Sequence, residues 1–213
     1  PAMRKTSVFF LLFILTVPIL AHGQEKARKY AANARVEELS ETSITVFDEK
    51  KKKKITAEIK DNKRLRTQSK QNVPMAFLAD GLYANVRGEI NDAKTEITSN
   101  YALIFEPPPD WAKKNTSHHG ASGYLLVNGD QHSLETDGAI LKIKWESKDP
   151  RLELINHSTT FEEVKKGDEL RITFKERGSE TWVDRVELRK PDMEEKDIAK
   201  NRPGAINQEI KEE

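Results

Sequence analysis

Apolar residues recur at every second position along much of this chain. Ile44 and Val46, then Ile55, Ala57 and Ile59, keep that spacing, and Leu170, Ile172 and Phe174 repeat it far downstream. Period two is the mark of a β-strand with one buried face. The pattern predicts strands at 36–40, 43–48, 55–60, 82–90 and 95–105. A second series follows at 123–128, 132–135, 139–146, 151–155, 169–176 and 181–188. Asn91-Asp92, Asn128-Gly129, Asp137-Gly138 and Gly178-Ser179 supply the turns between them. Residues 61–72 read as a polar, basic loop, and 73–80 as a short helical turn across one end.

The two series align when the sequence is shifted by 86 positions. Ile55 then meets Leu141, Met75 meets Phe161, Gly81 meets Gly167, Val86 meets Ile172 and Thr95 meets Thr181. Repetition at a fixed offset predicts two copies of one structural unit. The domain reading is a leader at 1–23, a lead-in at 24–35 that is helical or disordered, and a first unit at 36–106. A Pro-rich linker at 107–121, a second unit at 122–190 and a disordered tail at 191–213 complete it. Pro107-Pro108-Pro109 makes the linker stiff and extended. The tail is charged and almost without apolar periodicity.

Five or six short strands in about 70 residues suggest closure, which removes exposed sheet edges. The stretch Phe161-Glu162-Glu163-Val164-Lys165-Lys166-Gly167-Asp168-Glu169-Leu170-Arg171-Ile172-Thr173-Phe174 is similar to small periplasmic OB-like β-barrel domains of unknown function from bacteria. Leu78 to Gly88 is a looser version. The resemblance implies an all-β fold, two tandem small OB-like β-barrels related by the internal repeat. Gly167 permits a sharp turn there, and Asp168 is placed to hydrogen-bond the turn backbone. The same stretch resembles the barrel of the periplasmic copper-efflux chaperone, with Trp145 upstream of the Gly-Asp turn. The methionines that family carries after its Trp are replaced here by Glu146-Ser147-Lys148, and His132 is the one imidazole available. A soft metal site needs thioether or imidazole donors. A metal-handling chaperone is therefore the second reading.

Met3-Arg4-Lys5, the apolar run Val8–Leu20 and Ala21-His22-Gly23 match a secretory signal peptide. The run falls short of the about 20 residues a spanning helix needs, so no transmembrane anchor is expected after cleavage. The chain has no cysteine, which excludes disulfides and thiol chemistry and suits a periplasmic or secreted protein. Lysine and arginine total 36 against 35 aspartates and glutamates, so net charge names no partner.

Charge is uneven, however. Between Lys50 and Lys70 lie ten basic residues and two acidic ones, Glu58 and Asp61. Lys50, Lys51, Lys52, Lys53, Lys54, Lys60, Lys63, Arg64, Arg66 and Lys70 are the candidate anion-binding residues. Lys50–Lys54 mark a hairpin tip, because at the repeat offset they align with the Asp137-Gly138 turn. Gathered on one side, these cations would attract a lipid headgroup or an acidic polysaccharide. A solvated hairpin whose lysines blunt a strand edge is the plainer alternative. Nucleic acid is disfavoured, since Phe47, Tyr83 and Tyr101 are expected in strands rather than as stacking platforms. His118-His119 falls short of a closed metal site. Ser122 lacks the Gly at +2 that a nucleophile elbow requires, and no carboxylate pair stands out. The expectation is a non-enzymatic binding or structural module of the cell envelope. It needs no cofactor, and its partner is an anionic envelope component or another envelope protein.

Overall fold

The computed structural model describes residues 26–62, 64–110, 112–117 and 119–201. The expected signal peptide, Lys63, Trp111, His118 and the tail beyond 201 lie outside the described residues. The fold is all-β. Among the described residues thirteen strands run in order: β1 Arg28–Leu39, β2 Ser43–Asp48, β3 Lys53–Glu58, β4 Arg66–Val73, β5 Tyr83–Ile90, β6 Glu96–Glu106 and β7 Asn115–Ser117. They continue with β8 Gly120–Asn128, β9 Gln131–Glu135, β10 Ile140–Trp145, β11 Arg151–Asn156, β12 Glu169–Arg177 and β13 Glu180–Arg189. Single 3₁₀ turns cross at Met75–Phe77 and Phe161–Glu163.

All thirteen belong to one large mixed sheet. Its path runs β10-β9-β8-β5-β6-β11-β4-β13-β12-β1-β2-β3, with β7 on β8 and further pairings of β10 with β6 and of β13 with β3. Each end of the path thus folds back on its interior. Period-two side chains fill two large apolar clusters, and each draws on both halves of the sequence. One joins Ala32, Val36, Ile44, Val46 and Ile55 to Leu170, Ile172, Phe174, Val186 and Leu188. The other joins Phe77, Val86, Ile97 and Ile104 to Leu125, Leu134, Leu141 and Leu152. The cause is the pairing: β1 lies on β12, not on β5, and β8 lies on β5.

The Gly-Asp turn behaves as its residues dictate. Gly81 and Gly167 both hold positive φ, 80° and 94°, where a side chain is strained. Asp168 Oδ2 accepts the Lys165 N–H at 2.7 Å. The turn also stitches the halves together. Gly167 N–H donates to Val36 O, and Gly81 N–H donates to Leu125 O, each at 2.9 Å.

Four expectations need correction. Residues 28–35, read as a helical or disordered lead-in, form most of β1, because Ala32 and Ala34 are small inward residues at period two. Much of the basic loop expected at 61–72 is strand β4, whose mostly polar sequence hid it; β13 and β11 pair along its two edges. The linker contributes a strand, β7, and β8 starts inside it at Gly120. Before residue 201 the tail is ordered, as Met193 and Ile198 bury in the Leu125 cluster and Met193 N–H donates to Asn72 O at 2.9 Å.

A candidate anion-binding face

Four neighbouring strands, β4, β13, β12 and β1, build the site. Ser69, Val186, Leu188, Leu170, Ile172, Ala32 and Ala34 turn inward and are buried. Alternation sends the intervening residues to the opposite face. Register arranges those in three rows. The first is Arg66, Arg185, Thr173 and Ala31; the second is Gln68, Glu187, Arg171 and Asn33; the third is Lys70, Arg189, Glu169 and Arg35. Six cations thus share this face with two carboxylates.

Part of that charge is matched internally. Gln68 Nε2 donates to Glu187 at 3.0 Å, and Arg189 Nη2 donates to Asn33 at 3.2 Å. Lys70 reaches Glu153 of β11 at 2.7 Å. Glu153 is 1% exposed and also accepts from the Tyr101 hydroxyl and from Arg151, whose Nε lies at 3.0 Å. Burial alone would raise its pKa, but the hydrogen bonds from Lys70, Tyr101 and Arg151 together hold it below the ordinary range. Burial, then the bond to Glu153, pushes the Tyr101 phenol up to about 12. The Glu153 cluster borders a cleft of about 560 Å³ that Arg189, Lys190 and Asp192 also line.

The hairpin between β2 and β3 adds to the face at its other end. Asp48 is 2% exposed, and its Oδ1 accepts the Lys50 and Lys51 N–H groups, each at 2.9 Å. Glu49 N–H donates to Asn33 O at 3.2 Å, tying the turn to β1. Lys50 and Lys51 then line a cleft of about 420 Å³ with Asn33, Arg171 and Arg189. Its one acid, Asp48, already has an oxygen engaged by backbone.

Of the ten cations singled out from the sequence, Lys63 lies outside the described residues and the other nine divide. Lys50, Lys51, Arg66 and Lys70 reach this face. Lys52 pairs with Glu49 at 3.3 Å, Lys54 with Glu37 at 2.7 Å and Arg64 with Asp61 at 3.4 Å. Lys60 sits 4.1 Å above the Trp182 ring and 3.5 Å from Glu180. Lys53 is exposed on β3. Arg35, Arg171, Arg185 and Arg189 were not singled out from the sequence. Their alternation with buried neighbours was readable, but their placement beside β4 and the hairpin needs the cross-half pairings.

The other candidates have ordinary surroundings. The Ser122 hydroxyl accepts from Asn85 Nδ2 at 2.6 Å in the β5–β8 ladder. His132 Nδ1 accepts from Trp145 Nε1 at 3.4 Å, and burial lowers the His132 pKa, with Asp130 opposing. Met75 and His132 line one cleft, while the described residues hold no group of three or more His, Asp or Glu placed for a metal ion. No helix among the described residues is long and apolar enough to cross a membrane. Comparison with protein-family models, with curated proteins and with solved structures found no match to this chain.

Proposed function

We propose that this protein is a non-enzymatic binding module of the cell envelope that holds an anionic partner on the β4–β13–β12–β1 face. The observation that carries the reading is the convergence of Lys50 and Lys51 with Arg171 and Arg189 around one cleft. Closely spaced cations on a rigid sheet create a field of several kT that concentrates polyanions. A lipid headgroup and an acidic polysaccharide offer the same clustered oxyanions. Export to the periplasm or beyond is supported by the pattern from Met3 to Gly23 and by the absence of cysteine.

The finer architecture belongs to this reading. We infer two OB-like barrels that have exchanged halves. One is built of β1, β2, β3, β13 and β12, the other of β8, β9, β10, β6 and β5. Every pairing in the first has a counterpart in the second, including the parallel contacts β3–β13 and β10–β6. The bulges at Arg87/Gly88 and Thr173/Phe174 also correspond. The pairings between halves thus support one continuous sheet rather than two beads on a linker.

The test is retention at low salt on vesicles containing phosphatidylglycerol and, separately, on an acidic polysaccharide matrix. Lys50→Glu, Lys51→Glu and Arg171→Glu together abolish retention on the matrix that mimics the true partner. Retention unchanged on both refutes the reading. A soft-metal chaperone is the second reading, favoured by Met75 and His132 sharing a cleft near Trp145. Calorimetry with Cu(I) showing no binding tighter than about micromolar, roughly −8 kcal/mol, ends it.

A further inference from the structure

We propose that the cleft where β4 meets residues 157–160 binds one tetrahedral oxyanion, phosphate or sulfate. This deepens the anion-binding reading by naming the group held at one end of the face.

The cleft, about 500 Å³, is lined by Arg66, Thr67, His157, Ser158, Thr159 and one acid, Glu162, among others. Arg66 stands in register with Arg185 on the adjacent parallel strand, and such strands lie about 4.8 Å apart. Both side chains are exposed, and neither has an ion pair or hydrogen bond among the described residues. Two like charges side by side repel each other, and a shared oxyanion removes that repulsion through forked guanidinium contacts.

A second observation points to the same place. Among the described residues, His157 Nε2 and Thr159 Oγ1 are buried without a hydrogen-bond partner. Thr159 is only 5% exposed. Buried polar atoms left unpaired are rare in native proteins and call for a ligand or ordered water. A hydroxyl and an imidazole N–H are donors for an oxyanion. Burial, with Arg185 adding to it, keeps His157 below its ordinary pKa, so the ring offers one N–H without adding charge.

The molecule supplies its own comparison. The position matching Arg66 and Arg185 in the other half is Arg151 beside Tyr101 on β11 and β6. There Glu153, two residues along the strand, places a carboxylate on Arg151. Two residues beyond Arg66 stands Gln68, which turns to Glu187 instead. One half carries its anion; the other leaves its cations open.

Titration calorimetry of the whole protein with inorganic phosphate and with sulfate tests this. One saturable site is expected, weakened about tenfold or more in Arg66→Gln and in Arg185→Gln. Thr159→Val weakens it severalfold while circular dichroism stays unchanged. Lys53→Gln leaves it intact. The triple Lys50, Lys51 and Arg171 reversal keeps phosphate binding while it abolishes matrix retention, so the two readings fail separately. Displacement of phosphate by phosphatidylglycerol vesicles identifies a lipid headgroup as the source; no displacement identifies free phosphate or sulfate. No saturable binding, or affinity in Arg66→Gln and Thr159→Val unchanged from that of the unaltered protein, overturns the proposal.

Discussion

Replacing Glu153 by Gln keeps the side-chain shape and removes one buried charge. Lys70 and Arg151 then lose their shared counter-ion, and Tyr101 loses a charged acceptor. Breaking a buried pair from one side costs about 3–5 kcal/mol in fully desolvated settings. The Lys70 and Arg151 side chains are 26% and 69% exposed, so both rehydrate in part, which lowers the expected cost to about 2–3 kcal/mol. At about 2–4 °C per kcal/mol for a chain of this size, the melting temperature falls by about 4–12 °C. Arg151→Gln, which removes the mostly solvated partner, costs about 1 kcal/mol or less. Urea unfolding followed by tryptophan fluorescence reads both as midpoint shifts at constant slope. A loss below about 0.5 kcal/mol for Glu153→Gln, within ordinary surface effects, refutes the reasoning. Equal losses in the two variants refute it as well.

Acid weakens the fold through the same group. The folded Glu153 pKa is depressed, so its contribution is present above the ordinary value of 4.5 and is lost as pH falls through the lower folded value. Asp184, held down by hydrogen bonds from Lys175 and Lys29, adds to that loss; stability measured from pH 6 downward declines once pH drops under these reference values. At the alkaline end the Tyr101 phenol is raised, so its contribution is complete below pH 10 and is lost as pH rises toward 12. Absorbance titration shows one tyrosine ionising near 12, and Glu153→Gln brings it down. Gly88→Ala prevents the β5–β6 bulge, because a Cβ there would sit 2.0 Å from Thr98 O; soluble yield falls sharply. Finally, fragments 26–106 and 107–201 expressed together co-purify, while either alone gives no cooperative melt. A cooperative melt from one fragment refutes the exchanged halves.

Most strands were legible because one buried face leaves a period-two trace. Leu170, Ile172 and Phe174 became β12 on that basis alone. The same periodicity concealed a shift. Tyr83 pairs with Phe105 and Glu169 with Arg189, so β5 and β12 correspond at 86 positions but β6 and β13 at 84. The turn before β6 is two residues longer, and a two-residue slip returns every side chain to its face. The match of Thr95 to Thr181 is therefore a coincidence of alternation. Strand β4 was illegible because its interior residues, Thr67 to Asn72, are all polar. Nor does period two name a partner: β1 fits β5 and β12 equally well on paper. The basic face was hidden for that reason, since it exists only once β4 and β13 are neighbours.

The pairing of Arg28 with Glu176 has a temporal meaning. During synthesis β1 emerges well before its ladder partner β12. Without β12 and β13, a β1–β2–β3 ribbon has both edges bare. Such long-range closure makes folding slow relative to helical proteins. A ribesome-stalled or truncated chain ending before β12 presents open edges that invite aggregation. Lys53 and Lys54 stand exposed on β3, at that ribbon's edge, and charged side chains there discourage edge-to-edge pairing.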